Sequence, residues 1–169
     1  SGGTGLAWNW AGLRFFGHFF AVNWWTLQTL RFKKPRAKLQ LVADLVSREP
    51  PGAKETIIHL SSDGNPDVRR AAILALGKID GAASLEILTS ALGDREPDVR
   101  AAAAAALAQV RDPHSEAGLV KALGDSAAAV RLNAAHALKN LAWKPADEHQ
   151  TIVHAIATGK YEEAAAIGV

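Results

Sequence analysis

Apolar and polar residues follow a helical period through most of this chain. Between Pro66 and Ile79, the apolar positions Val68, Ala72, Ala75, Leu76 and Ile79 fall on one stripe, the spacing of a helix buried along one side. Pro66 suits the first helical position, where its missing N–H would have had no partner in any case. Asp80-Gly81 predicts the end of that helix, because glycine takes the left-handed conformation at little cost. A shorter helix is predicted over Ser84 to Leu92, closed by Gly93-Asp94. The pattern then returns with Val99, Ala103, Ala106, Leu107 and Val110, a turn at Arg111-Asp112-Pro113, and a second helix carrying Leu119 to Leu123.

The return has a fixed spacing. Pro66-Asp67-Val68-Arg69 recurs 31 residues on as Pro97-Asp98-Val99-Arg100, then as Ala128-Ala129-Val130-Arg131, and its counterpart upstream is Pro35-Arg36-Ala37-Lys38. Leu45, Leu76, Leu107 and Leu138 make a second column, and Ile57, Leu88 and Leu119 a third. A period of this length predicts an all-α solenoid of stacked helical hairpins. One hairpin cannot bury its own apolar face, whereas stacked neighbours share a continuous core. The abundant alanines let neighbouring helices approach closely. The expected body is residues 35–169, with units at about 35–65, 66–96, 97–127 and 128–169. The last unit departs from the pattern: Leu141-Ala-Trp-Lys-Pro-Ala-Asp-Glu brings about two extra residues before Ile152, and another helix starts near Thr158-Gly159-Lys160-Tyr161.

Charge adds one more column. Asp63, Asp94 and Asp125 each precede a helix, and Arg69, Arg100 and Arg131 lie six residues after them. A carboxylate there can accept the orphan N–H groups of the helix and meets its positive end. The expectation is a structural ladder in which each Asp pairs with an Arg of its own or the adjacent unit. The alternative is a cap and an exposed cation that never touch.

Residues 1–34 differ from the body. Trp8, Trp10, Phe15, Phe16, Phe19, Phe20, Trp24, Trp25 and Phe32 all precede residue 35, and no Asp or Glu occurs before Asp44. Arg14, Arg31, Lys33, Lys34, Arg36 and Lys38 all precede Asp44 as well, so this end of the chain is basic. Arg14 and His18 interrupt it as a membrane span, since a central charge costs a few kcal/mol on insertion. Leu13, Phe16, Phe20, Trp24, Leu27 and Leu30 make one apolar stripe, and Phe15, Phe19 and Val22 a second. One packing interface leaves the second exposed, so three readings stay open: a cap on the first repeat, a contact with a partner or a second copy, and an anchor on an anionic membrane surface. Ser1 is not a translation start and Ser1-Gly2-Gly3 reads as a processing or tag scar. With Val169 falling in mid-pattern, the chain is expected to be a piece of a longer solenoid.

The segments Pro66-Asp-Val-Arg-Arg-Ala-Ala-Ile-Leu-Ala-Leu-Gly-Lys-Ile and Asp94-Arg-Glu-Pro-Asp-Val-Arg resemble HEAT-like repeats of the phycobilisome-lyase type. The resemblance covers residues 35 to 143, with 24 to 169 as its outer reach. It implies the fold more than a function, because such repeats serve lyases, hydroxylases, DNA-repair proteins and scaffolds. HEAT-like hydroxylases carry repeated His-Glu dyads for a di-iron centre; here the equivalent stretches read Arg70-Ala71-Ala72, Ala101-Ala102-Ala103 and Leu132-Asn133-Ala134.

The remaining chemistry points the same way. No cysteine is present, which removes disulfides, thiolate metal sites and a Cys nucleophile. His149 and His154 are five apart rather than the four of a helical zinc pair, and Gly2-Gly3-Thr4-Gly5 has no strand before it and no Lys-Ser/Thr after it. No catalytic residue, metal ligand, cofactor or small-molecule substrate is expected. The net charge of +2 across 169 residues supplies no broad field for nucleic acid. The second helices contribute Lys54, Glu55, His59, Glu86, Ser90, Glu116 and Lys121, a surface of mixed sign that argues against a phosphate track and suits a polypeptide. The expectation is a non-catalytic, cytoplasmic scaffold that binds a protein or a second copy of itself. A peripheral membrane adaptor anchored by residues 1–34 is the alternative, and an enzyme of the lyase type a more distant one.

Overall fold

The structure is a computed structural model, and it describes residues 34–79 and 81–167. The readings for Trp8, Trp10, Phe15, Phe16, Phe19, Phe20, Trp24 and Trp25 fall outside the described residues. From Pro35 onward the chain is a succession of helices: α1 (Pro35–Arg48), α2 (Ala53–Leu60), α3 (Pro66–Ile79), α4 (Leu85–Ala91), α5 (Pro97–Val110), α6 (Glu116–Ala122), α7 (Ala128–Asn140), α8 (Glu148–Ala157) and α9 (Tyr161–Ile167). Long first helices alternate with short second ones. The first helices stack in the order α1, α3, α5, α7, while α2, α4 and α6 each pack on the first helix that follows them.

The three apolar columns are the core. Val68, Val99 and Val130 are buried, as are Leu76, Leu107 and Leu138, and Ile57, Leu88 and Leu119 are wholly enclosed. Each such side chain contributes about 1.5–3 kcal/mol relative to exposure. Between first helices the contact is made of very small residues. On α5, Ala102, Ala103, Ala104, Ala106 and Ala108 are all buried. A Cβ placed on Gly77 of α3 would lie 2.7 Å from the Cβ of Ala106, so the two backbones are closer than any side chain there allows.

Several local expectations need correction. Gly81 does not take the left-handed conformation; among the described glycines only Gly52 and Gly159 have positive φ. What Gly81 permits is the approach of Val110, whose Cγ2 occupies the space a Cβ would need. The left-handed cap of the next unit falls instead on Arg111, with φ 55° and ψ 35°. The third hairpin has a 3₁₀ turn, Pro113–Ser115, ahead of α6. In the last unit the extra residues lead to Asp147, whose Oδ1 accepts the Gln150 N–H at 2.7 Å and caps α8. Helix α9 packs on α8, yet it does not come against α7 as α7 comes against α5.

Candidate functional site: an ion-pair ladder beside grooves between second helices

Helices α3, α5 and α7 each begin three residues after a ladder Asp, which has by then turned the chain. Asp63 Oδ1 accepts the Asn65 N–H, Asp94 Oδ1 the Glu96 N–H and Asp125 Oδ1 the Ala127 N–H, at 2.9, 2.9 and 2.8 Å. These are Asx turns rather than helix caps, which corrects the capping role expected of the three carboxylates. The cap of α3 is Asn65, whose Oδ1 accepts from the N–H groups of Asp67 and Val68.

The carboxylates then face cations on the first helix of their own unit. Arg69 donates through Nε and Nη2 to Asp94, at 2.9 and 2.8 Å. Arg100 donates the same way to Asp125, at 2.7 and 2.9 Å. Such two-pronged, charge-assisted pairs are the strong class of hydrogen bond. The third carboxylate, Asp63, is held by Lys38 Nζ, so its partner is a lysine and not one of the three arginines. Arg131 meets no ladder carboxylate: its Nη1 donates to the carbonyls of Asp125 and Ser126. Every ladder contact thus spans one unit, from a cation on its first helix to the Asp of the turn that leads into the next first helix.

Protonation follows the geometry. For Asp125, the hydrogen bonds from Arg100 come first and hold the carboxyl below its ordinary value. For Asp94 and Asp63, burial pushes the carboxyl up, but the hydrogen bonds from Arg69 and Lys38, with those from the Glu96 and Asn65 N–H groups, outweigh it and leave both lowered. Asp112, at the third hairpin's turn, is lowered by the His114 N–H and then by its ring, with Nδ1 at 2.7 Å.

Beside the ladder, α2 and α4 stand apart and leave a groove of about 520 Å³ over α3. Ile58, Ile73 and Ile87 give it an apolar floor, and Ser61, Glu86 and Ser90 a polar rim. Arg69 and Asp94 also line it, so a rung forms part of the groove wall. Of the seven residues expected to bind a partner, Glu86 and Ser90 come together here. Lys121 lines a separate, smaller groove of about 270 Å³ with His149 and Val153. Glu55, His59 and Glu116 are exposed on their helices without lining either groove, and Lys54 is half-buried. The isoleucine floor was missed by sequence reasoning; its signal was Ile58 and Ile87 sitting one position from the buried Ile57 and Leu88.

Among the described residues no group of three or more His, Asp or Glu is placed to hold a metal ion. His154 packs its ring against Trp143, with centroids 5.8 Å apart. No helix among them is long and apolar enough to cross a membrane.

These features define an all-helical solenoid of two-helix repeats, in which adjacent hairpins are joined by small-residue packing and each first helix is tied by a buried ion pair to the turn that ends its repeat. A family model for HEAT repeats matches residues 25–97 and again residues 85–167. The chain therefore belongs to the HEAT repeat family. A search among curated proteins finds no match to it.

Proposed function

We propose that this protein is a non-catalytic scaffold that grips a polypeptide along its second helices, with the groove between α2 and α4 as the main contact. The observation that carries this reading is the groove itself: an isoleucine floor with a serine and glutamate rim, walled by a rung whose charges are already neutralised. Apolar depth with sparse polar edges suits a side chain of a peptide, which leaves its backbone to the rim. The mixed signs of Glu55, His59, Glu86, Glu116 and Lys121 agree with a peptide better than with a phosphate backbone. Repeats of this family commonly act as interaction surfaces, and repeat stacks present extended faces of this kind.

The test is selection of peptides from a random display library on the purified protein. Selected peptides should bind the wild type and lose about tenfold or more in affinity to Ile87→Asp or Ser90→Arg, the scale of a central contact in an interface. Thermal melting of each variant separates lost binding from lost folding. Peptides indifferent to both substitutions would remove the groove from the function.

A second reading rests on the sequence of residues 1–34. Their aromatic, acid-free composition suits an anionic lipid surface, and would make the solenoid a peripheral membrane adaptor. The same stretch also suits self-association.

A further inference from the structure

The groove over α3 belongs to one seam of the stack. Its floor uses Ile87 of α4, and the matching position of α6, 31 residues on, is Gly118. A Cβ on Gly118 would lie 3.0 Å from Leu92 Cδ1 and 3.2 Å from Thr89 Cγ2. Helix α6 therefore comes close against α4, where α4 stands off from α2. Helices of the stack bound the groove on both sides.

The lining of that groove is negative. Three charged residues contribute to it, and two of them, Arg69 and Asp94, cancel in a rung at 2.8 Å with both side chains largely buried. The third is Glu86, which is exposed and forms no ion pair among the described residues. The end of α2 supplies Ser61 and Ser62, and the end of α4 supplies Ser90 and Gly93. Both walls thus present helix C-termini, whose partial charge is negative. Along the stack the sign then changes. The Glu86 column runs Glu55, Glu86, Ala117, while Ser90 is followed 31 residues on by Lys121, which lines the smaller groove with His149.

We propose that the groove between α2 and α4 selects a polypeptide segment in which Lys or Arg stands beside a branched apolar residue. The apolar side chain lies on Ile58 and Ile87, and the cation meets Glu86. A Lys or Arg stem suits this edge, because its methylenes can lie on the isoleucines while its charge stays at the rim. An acidic or phosphorylated segment would meet an unpaired carboxylate with no free cation to offset it. The inference rests on the scaffold reading and names the chemistry of the segment that the groove holds.

The probe is a random peptide display library, selected on the whole protein and again on Glu86→Lys. Peptides that bind the wild type and are lost on Ile87→Asp should be enriched in Lys or Arg next to Ile, Leu or Val. Those selected on Glu86→Lys should carry Asp or Glu there instead. By fluorescence anisotropy, Glu86→Gln should weaken a selected peptide about twofold to fivefold, the scale of an exposed ion pair. Replacing the peptide's Lys by acetyl-lysine should cost the same, and the two changes together little more. Raised salt should weaken the charged peptide and not its neutral copy. Peptides that need Ile87 yet show no basic enrichment, or ignore Glu86→Gln, overturn this inference and leave the groove as a peptide site. Selection of no peptide that depends on Ile87 removes the groove from the function and this inference with it.

Discussion

Arg100 and Asp125 lie 25 residues apart in the chain and meet edge to edge, Nε to Oδ2 at 2.7 Å and Nη2 to Oδ1 at 2.9 Å. The arginine stands in the first turns of one hairpin, and the aspartate turns the chain into the next. Asp125 also holds the Ala127 N–H at 2.8 Å, so a single carboxylate both shapes a turn and ties it to its neighbour. Both side chains are largely buried, at 13% and 12% exposure, which sets this pair apart from surface contacts such as Arg95 with Glu96 at 3.9 Å.

Removing that carboxylate should be costly. Asp125→Ala is expected to destabilise the fold by about 1.5–3 kcal/mol, the range for hydrogen bonds to charged groups, because Arg100 is left without its partner. Urea unfolding of the single and double variants reads the coupling directly. Asp125→Ala and Arg100→Ala together should cost clearly less than the two single losses combined.

Acid should act through the same residues. Asp63, Asp94, Asp112 and Asp125 are all lowered in the folded state, so each contributes stability that is fully present above the unfolded carboxyl value of about 3.9 and is lost as pH falls through the lower folded one. Stability should thus vary little with pH from these groups near neutrality and fall steeply below about pH 4. The double variant Asp94→Asn with Asp125→Asn should be less stable at neutral pH and show a shallower acid fall. An equally steep fall would assign acid sensitivity to other carboxylates.

Ser84 and Ser115 hold matching positions in consecutive units, both fully buried, and they differ in one bond. Ser115 Oγ donates to the Asp112 carbonyl at 2.7 Å, whereas the Ser84 hydroxyl has no partner among the described residues. Ser115→Ala should cost about 1 kcal/mol, while Ser84→Ala should be neutral or mildly stabilising, since it deletes a buried unpaired group. Thermal melts of the two variants give the contrast.

Arg111 carries a left-handed backbone, φ 55°, at the end of α5. A side chain in that region is strained, and glycine is the usual residue at such a cap. Arg111→Gly should therefore raise stability by about 1 kcal/mol or less, after the extra unfolded-state entropy of glycine is set against the relieved strain. Urea unfolding measures it, and a clear loss would mean that the arginine side chain contributes more than its backbone costs.

The two readings of residues 1–34 part in one experiment. If the stretch meets lipid, the whole chain should sediment with vesicles containing anionic lipid and lose this on removal of residues 1–34, with the effect weakening as salt is raised. If it joins two copies, light scattering should show a dimer that becomes monomeric on the same truncation, with no vesicle binding.

Much of the fold was legible in the chain because its columns are chemically extreme. Val68, Val99 and Val130 stand out among alanines, and the Leu76, Leu107 and Leu138 column cannot be exposed at that spacing without leaving the core empty. The ladder was half legible. Lys38 stood in the arginine column, yet pattern alone did not pair it with Asp63. The turn geometry was not legible, because Asp63 precedes Pro66 by a distance that fits either a cap or an Asx turn; the choice depends on where the helix begins. The groove was hidden for a different reason. Helices α2 and α4 have eight and seven residues, about two turns each, so their apolar positions do not repeat enough to reveal which side stays open.

The tight meeting of Gly77 with Ala106 has a consequence for movement. The residues on either side of that seam act as a fulcrum: all the chain from α5 onward is carried on one side of it, and α1 and α2 on the other. Gly77→Ala would introduce a wedge of one methyl group at the pivot, and its effect would grow with distance along the stack as an angle grows into an arc. A partner spanning several hairpins would then meet contact points set out along a different curve, even where every residue that it touches is unchanged.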